Sequence, residues 1–334
     1  MTFFKTGRNL LNVVAATVIA AGVVFGQETG TFNLSTWTGT GTGWNTAAGD
    51  VLTIEDGGNV RVTGTAGNNQ RIAVDVNAVA SITLENVVIT RPGANNSALE
   101  LPDDANVKVI LEGPNNVLTG GTNRAGLHVQ TTATLTIEGT GSLTARGTFG
   151  SYGSAGIGGG HGDYQIYRNS GTIIINSGTI TAIGAGDPDY AFYAGAGIGG
   201  GDEGSSGNIT INGGVVTATG NGNAQGIGRG GDASNSHGTL TMNGNAIVFA
   251  GSVGDMELSR KVSGILIIGT EQNWYGDEII LTNNATIPAG YLLIVDSDKT
   301  LTIPSGMTLT NNGEAIKVGT INHGEPNYGT WGGE

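Results

Sequence analysis

Between residues 50 and 250 apolar and polar positions alternate in short runs, and the runs recur. DVLTIEDG (50–57), ASITLENV (80–87), VKVILEGP (107–114), ATLTIEGT (133–140), GTIIINSG (171–178), GNITINGG (207–214) and GTLTMNGN (238–245) read as one strand written seven times. Their third and fifth positions are always apolar, from Leu52/Ile54 through Ile82/Leu84 and Ile175 to Leu240/Met242. A period of two sends that set to one face and the residues between to the other. A second run follows each first one after a tight turn: NVRVTG, VVITRPG, NVLTGG, SLTARG, TITAIG, VVTATG and AIVFAG. A third, shorter element then precedes the next copy, from RIAVDV, SALEL and AGLHV to AGIGGG (155–160), AGIGGG (196–201) and QGIGRG (225–230). One such unit cannot bury its apolar face alone, whereas a stack of units makes a continuous core. The pattern predicts an all-β parallel β-helix (solenoid) of about ten coils, three short strands per coil, roughly 50 Å long at about 4.8 Å per coil.

The alternation weakens beyond 264, where SGILIIG, EIILTNN, TIPAGYLLIV and KTLTIPSGMTLTNNG lack the Gly-Ile-Gly element. The expected organisation is therefore a signal peptide at 1–26 and an N-terminal cap at 27–49. Repeats follow at 50–263, then narrower terminal coils and the C-terminal end at 264–334. Trp37 and Trp44 are available to cover the first coil. In 1–26, Lys5 and Arg8 precede the apolar stretch Leu10 to Phe25, with small residues at −3 and −1 before Gln27, a pattern for export. A membrane anchor is the other reading of that stretch. No second spanning segment follows, so the exported chain is expected to be secreted or held at the cell surface.

Composition fits this picture. The chain of 334 residues holds 61 glycines without a Gly-X-Y period, which excludes collagen, and 38% hydrophobic residues, enough for a core. With no cysteine, neither disulfides nor a lipid-modified cysteine contributes. The formal charge of −13 becomes −15 once Lys5 and Arg8 leave with the leader. Such a surface repels nucleic acid and anionic membrane and favours cations. The glycine motif is not a phosphate loop, because it recurs without a helix or a Gly-Lys-Ser/Thr step. Nor does GGGHGDY or GGGDEG place its acids at the fixed offset of a calcium roll.

The units AGIGGG…GTIIINSGTITAIG, AGIGGG…GNITINGGVVTATG and AGLHVQTTATLTIEGTGSLTARG resemble the glycine-rich repeats of secreted bacterial surface proteins. They are also similar to the bacterial carbohydrate-binding β-helix family, over about residues 80–250. The resemblance implies a right-handed parallel β-helix at the cell surface and a polysaccharide or cell-surface glycan as partner, with calcium as the one cofactor it suggests. It supplies no residue-level ligand motif.

Two features exceed what stacking requires. The sixth position of the repeated strand reads Glu55, Glu85, Glu112 and Glu138, then Asn176, Asn212 and Asn243. Stacked at equal offsets, Glu85, Glu112 and Glu138 would make either a cation-binding edge or a row of solvated turn residues, with the asparagines as a turn-capping ladder. The second feature is aromatic. Phe149, Tyr152, Tyr190, Phe192 and Tyr193 lie in loops entering the Gly-Ile-Gly elements, and Tyr164 and Tyr167 leave the first one. These rings are expected either to form a flat platform for sugar faces, with Asp163, Asp187, Asp189 and Asp202 beside them, or to fold over the flanks of the stack. Catalysis is the competing class, since lyases and glycosidases also use this fold. Hydrolysis requires two carboxylates about 5 to 9.5 Å apart across a cleft, and the acids here sit at shifting offsets. A lyase requires a base, commonly Arg or Lys, for which the loop-rich middle offers only Arg168 and Arg229; His161 and His237 are isolated, and no triad or metal-ligand spacing occurs. The sequence thus favours a non-catalytic binder of polysaccharide, with a structural surface protein or adhesin as the alternative and a polysaccharide-degrading enzyme as the third.

Overall fold

The computed structural model describes residues 26–160, 168–187, 189–233, 238–253, 260–261, 263–269, 271–317 and 319–323. Of the signal peptide expected at 1–26, all but Gly26 lies outside them. Among the described residues there are strands and turns and no helix. The repeats pair in parallel, each with the next, in three rows.

In the first row Val79–Ile89, Asn106–Glu112, Thr134–Gly139, Thr172–Ile175, Ile209–Ile211 and Leu240–Met242 stack in register. Two apolar columns result: Ala80, Val107, Leu135, Ile173, Ile209, Leu240, and Ile82, Val109, Ile137, Ile175, Ile211, Met242. All twelve residues are fully buried. The second row aligns Ile89, Leu118, Ala145, Ala182, Ala218 and Ala250, and belongs to the same 17-stranded sheet because Val79–Ile89 runs through both rows. The third row is an eight-stranded sheet whose buried column is Leu52, Ile72, Leu99, Leu127, Ile157, Ile198 and Ile227. Each fully buried aliphatic side chain contributes about 1.5–3 kcal/mol, so the columns supply much of the favourable term.

Ile-Gly pairs end this third row for a steric reason. Gly158, Gly199 and Gly228 have φ of 129°, 135° and 136°. A Cβ on Gly158 would collide with the Gly199 carbonyl, and one on Gly199 with the Gly228 carbonyl. The stack therefore requires glycine above glycine at this position.

Two expected registers are corrected. Val51–Ile54 opens the third row (Leu52 opposite Ile72, Ile54 opposite Val74), and Asn59–Thr65 stacks in the first, Val60 on Ile82 and Val62 on Leu84. Thr134–Gly139 sits two residues back from the expected alignment, Leu135 on Val107 and Ile137 on Val109. Alternation is unchanged by a slip of two residues, so the pattern permitted both placements.

At one end, Gly30–Asn33 pairs with Thr38–Gly41 and with Asn59–Thr65, and buries Phe32. Trp37 and Trp44 pack edge-on to that ring at 5.1 and 4.8 Å. At the other end, Gly264–Ile268 meets Glu271–Tyr275 in antiparallel fashion, which turns the chain back. The following strands form three small parallel sheets, with Glu278–Ile280, Thr300–Ile303 and Thr320–His323 in the largest. They do not simply lengthen the rows. Ile279, Leu281, Ala285 and Ile287 share a second core with Val215, Ile247, Phe249, Ile265 and Ile267 on the outer face of the second row. Asn283 confirms the lateral contact, accepting from the Gly178 amide (3.1 Å) and donating to the Thr140 carbonyl (3.3 Å).

The glycine column gives a direct expectation. Gly199→Ala should cost about 3 kcal/mol, through strain at positive φ and overpacking, and lower Tm by several degrees. Gly251→Ala, where an added Cβ meets nothing within 4 Å, should stay within about 0.5 kcal/mol of the parent. Thermal melts followed by circular dichroism separate the two, and an indifferent Gly199→Ala contradicts the register.

Candidate functional site along the loop edge

The loops that lead from the second row to the third lie along one edge, tied to one another by backbone hydrogen bonds. The amide of Asn69 donates to the Arg91 carbonyl (2.8 Å), Gly121 to Asn96 (2.7 Å), Thr148 to Arg124 (3.1 Å), Ala185 to Ser154 (2.9 Å) and Asn221 to Gly195 (3.3 Å). Within this edge, local turn chemistry presents the rings. Asn123, in the left-handed region at φ 59°, accepts from the amides of Ser151 (2.8 Å) and Tyr152 (3.1 Å). Asp187 accepts from the amides of Asp189 (2.7 Å) and Tyr190 (3.3 Å), and its own amide donates to the Tyr193 carbonyl (3.2 Å). The short Asp side chain thus closes the loop as an Asx turn.

Tyr190, Phe192 and Tyr193 emerge 61%, 54% and 42% exposed. Tyr193 is the centre of the group, 5.7 Å from Tyr152 at 84° and 6.5 Å from Tyr190 at 65°. The Arg168 guanidinium lies over the Tyr152 ring at 5.6 Å and pairs with Glu203. Edge-to-face contacts of this kind are worth about 0.5–1.5 kcal/mol each. They also correct the expected flat platform: Tyr152, Tyr193 and Tyr190 form a stepped cluster, neighbouring rings inclined at 84° and 65°. Asp189 is exposed beside it. Asp163, Tyr164, Tyr167, His161 and His237 fall outside the described residues.

Asp202 is not a surface group. It is fully buried behind this edge, its amide donating to the Gly153 carbonyl (2.9 Å), and both carboxylate oxygens lack a hydrogen-bond partner among the described residues. Burial pushes its carboxyl up to about 6, against the pull of the Arg168 guanidinium; the Ala194 amide is near enough to favour the charged form but completes no hydrogen bond to it. In this conformation it cannot bond a ligand hydroxyl.

The glutamates of the repeated strand part company. Glu85 stacks on Glu112, but Glu138 stands opposite Ile110, a consequence of the two-residue slip, and Glu55 lies outside the row, accepting from Asn45 (2.9 Å). Arg61, one and two repeats away, binds Glu85 (3.0 Å), Glu112 (2.5 Å) and Glu28 (2.6 Å). Its hydrogen bonds hold the Glu112 carboxyl below the usual range. Glu138 pairs instead with Lys108 (3.1 Å). The carboxylates read as a cation-binding edge are already paired with side-chain cations, Glu85 and Glu112 with Arg61 and Glu138 with Lys108. Among the described residues no group of three or more His, Cys, Asp or Glu is arranged to hold a metal ion. The asparagines do form a ladder, Asn243 donating to Asn212 and Asn212 to Asn176, each at 2.9 Å.

Sequence reasoning missed Arg61 because the partner of a stacked acid lies on another repeat, at a diagonal offset. It also missed a buried polar group in the third row. Glu100 bonds Arg71 (3.0 Å) and lies 3.8 Å from the buried His128. Burial disfavours its charge, yet His128, Arg71 and Arg124 outweigh that and hold the carboxyl down to about 2. The only sequence signal was a charged residue between two core leucines, Leu99 and Leu101.

Two tests follow from these geometries. Because the folded carboxyl of Asp202 titrates above its unfolded value, the folded state binds the extra proton and stability falls as pH rises from about 4 to about 6. Asp202→Asn should therefore melt higher than the parent at pH 7.5 and about equal to it at pH 4; equal melting at both would contradict a buried, unpartnered carboxylate. For the glutamates, millimolar calcium should leave the parent's Tm unchanged and raise that of Arg61→Ala, in which the stacked acids have lost their cation. A calcium-dependent rise in the parent would mean that the ion displaces the guanidinium.

Comparison with known proteins returned no match: no family model fits the chain, and no curated protein or solved structure is significantly similar to it.

Proposed function

We propose that the chain is a right-handed parallel β-helix of about ten coils with three short strands each, exported to the bacterial cell surface, which binds polysaccharide along its loop edge without acting on it chemically. The observation that carries this reading is the exposure of Tyr190, Phe192 and Tyr193 on one edge of a regular stack. Large rings left in water on a rigid frame offer apolar faces to sugar rings. Asp189 beside them can accept hydroxyl hydrogen bonds, and several weak contacts along a polymer add through multivalency. The three-row ladder, the closely stacked glycines and the AGIGGG units support the β-helix.

The non-catalytic reading draws on Asp202. A glycosidase requires a second carboxylate facing the scissile bond, and this acid is enclosed. A structural surface or adhesive role has its own support in the contacts of Tyr152, which is half-buried between Arg168 and Tyr193 and packs as a scaffold residue would.

Replacing Tyr190 and Tyr193 together by Ala separates these readings. Partial burial of two rings against a ligand is worth about 2 kcal/mol, so polysaccharide binding in affinity electrophoresis should weaken roughly thirtyfold. Stability should change by no more than about 0.5 kcal/mol. A much lower Tm with unchanged retention would make the rings packing residues and leave the structural reading in place.

A further inference from the structure

The loop edge carries a second feature one repeat away from the rings. An open groove of about 510 Å3 lies between successive loops, lined by Asn68, Asn69, Thr90, Arg91, Gly121 and Thr122 among others, and no acidic residue lines it. Among the arginines whose side chains are described, Arg61, Arg71 and Arg168 pair with carboxylates, while Arg124 and Arg229 donate to the carbonyls of Asn95 (2.8 Å) and Ala233 (2.7 Å). Arg91 and Arg146 are the exceptions. Both are exposed, and neither guanidinium has a partner among the described residues.

These two are near one another in the stack, two repeats apart and offset by one position, since Ile89, Leu118 and Ala145 share the column that precedes Thr90, Thr119 and Arg146. Arg91 lines the groove itself. Arg146 is in register with Thr119, and its carbonyl accepts from the amide of Gly120, another lining residue, at 3.0 Å. The tyrosine loop adjoins directly: the Thr148 amide donates to Arg124, and a Cβ on Gly150 would strike the Thr122 side chain. A chain with 27 acidic and 14 basic residues thus leaves one forked cation in the groove and a second beside it, on the strand that adjoins Gly120, both without a partner among the described residues. At physiological salt the Debye length is about 8 Å, so acids farther away do not cancel them. A guanidinium presents paired N–H donors that match a carboxylate or a sulfate.

We infer that this groove is a subsite for an anionic group on a saccharide, held by Arg91 with Arg146, and that the ligand is an anionic polysaccharide lying along the edge from the groove to the rings. The inference rests on the polysaccharide reading above and adds the charge of the ligand. Carboxylate and sulfate are recognised by the same fork, and the experiment distinguishes them.

The test compares retention by polygalacturonate, its carboxyl-reduced neutral form and a sulfated galactan. The proteins are the parent, Arg91→Gln/Arg146→Gln, Arg91→Lys and Tyr190→Ala/Tyr193→Ala, each checked by melting. The parent should bind at least one charged polymer more tightly than the neutral one, and the preferred polymer identifies the anion. The Gln pair should lose about fivefold on that polymer, the scale of one or two exposed ion pairs, and nothing on the neutral form. Arg91→Lys should lose less than the Gln pair, and 0.5 M salt should erase the preference. Equal retention of charged and neutral polymers, or an unaffected Gln pair, overturns the anionic subsite. If the neutral polymer is still held through Tyr190 and Tyr193, the polysaccharide reading survives that result; retention of none of the three overturns both.

Discussion

Everything in this chain depends on the backbone hydrogen bonds that join each repeat to the next at a spacing of about 4.8 Å. At that distance every side chain meets its own counterpart above and below, so each position must be compatible with itself. Inside, the condition is met by aliphatic columns such as Ile137, Ile175 and Ile211. Outside, it is met in several ways. Asn243 donates to Asn212 and Asn212 to Asn176, because a carboxamide carries both a donor and an acceptor. Like charges cannot do this, and the stacked pair Glu85 and Glu112 is bridged by Arg61. Where the backbone turns at positive φ, Gly158, Gly199 and Gly228 leave no side chain to stack.

That constraint explains how much could be read from the sequence. The three-row repeat, the inward Ile157, Ile198 and Ile227, and the asparagine ladder were legible, because self-stacking leaves its mark at every copy. What failed was register. A two-residue slip keeps the alternation, so Glu138 looked like the neighbour of Glu112 and Val51–Ile54 looked like the head of the first row. Strand length and the order of turns decide such cases, and neither is periodic. The lateral packing of Ile279 and Leu281 against Val215, Ile247, Phe249, Ile265 and Ile267 was also hidden, since the outward apolar residues that receive it break the alternation at only five positions. For the candidate site, the rings were legible as loop aromatics. Their edge-to-face arrangement, the burial of Asp202 and the lack of a partner for Arg91 and Arg146 among the described residues depend on side chains meeting across repeats.

The site follows from the same geometry. A stack with fixed spacing turns successive loops into one edge, and loop length then decides what that edge carries. The shorter loops of the early repeats leave an asparagine- and arginine-lined groove, while the longer loops near 150 and 190 raise rings above it. Interior columns tolerate little change, whereas the edge can vary in length and chemistry at small cost to the fold. A polymer parallel to the axis is the ligand shape that such an edge suits.

The register of the stack is the claim on which all of this rests, and spin-label distances measure it most directly. The chain has no cysteine, so labels can be placed in pairs at Lys108 with Ile174, Thr210 or Thr241, residues that share one outward column. The stack predicts separations of about 10, 14 and 19 Å, rising by one equal step of about 4.8 Å per repeat whatever the number of residues between the labels. Distances that grow unevenly, or that follow separation along the chain, would contradict the parallel in-register stack.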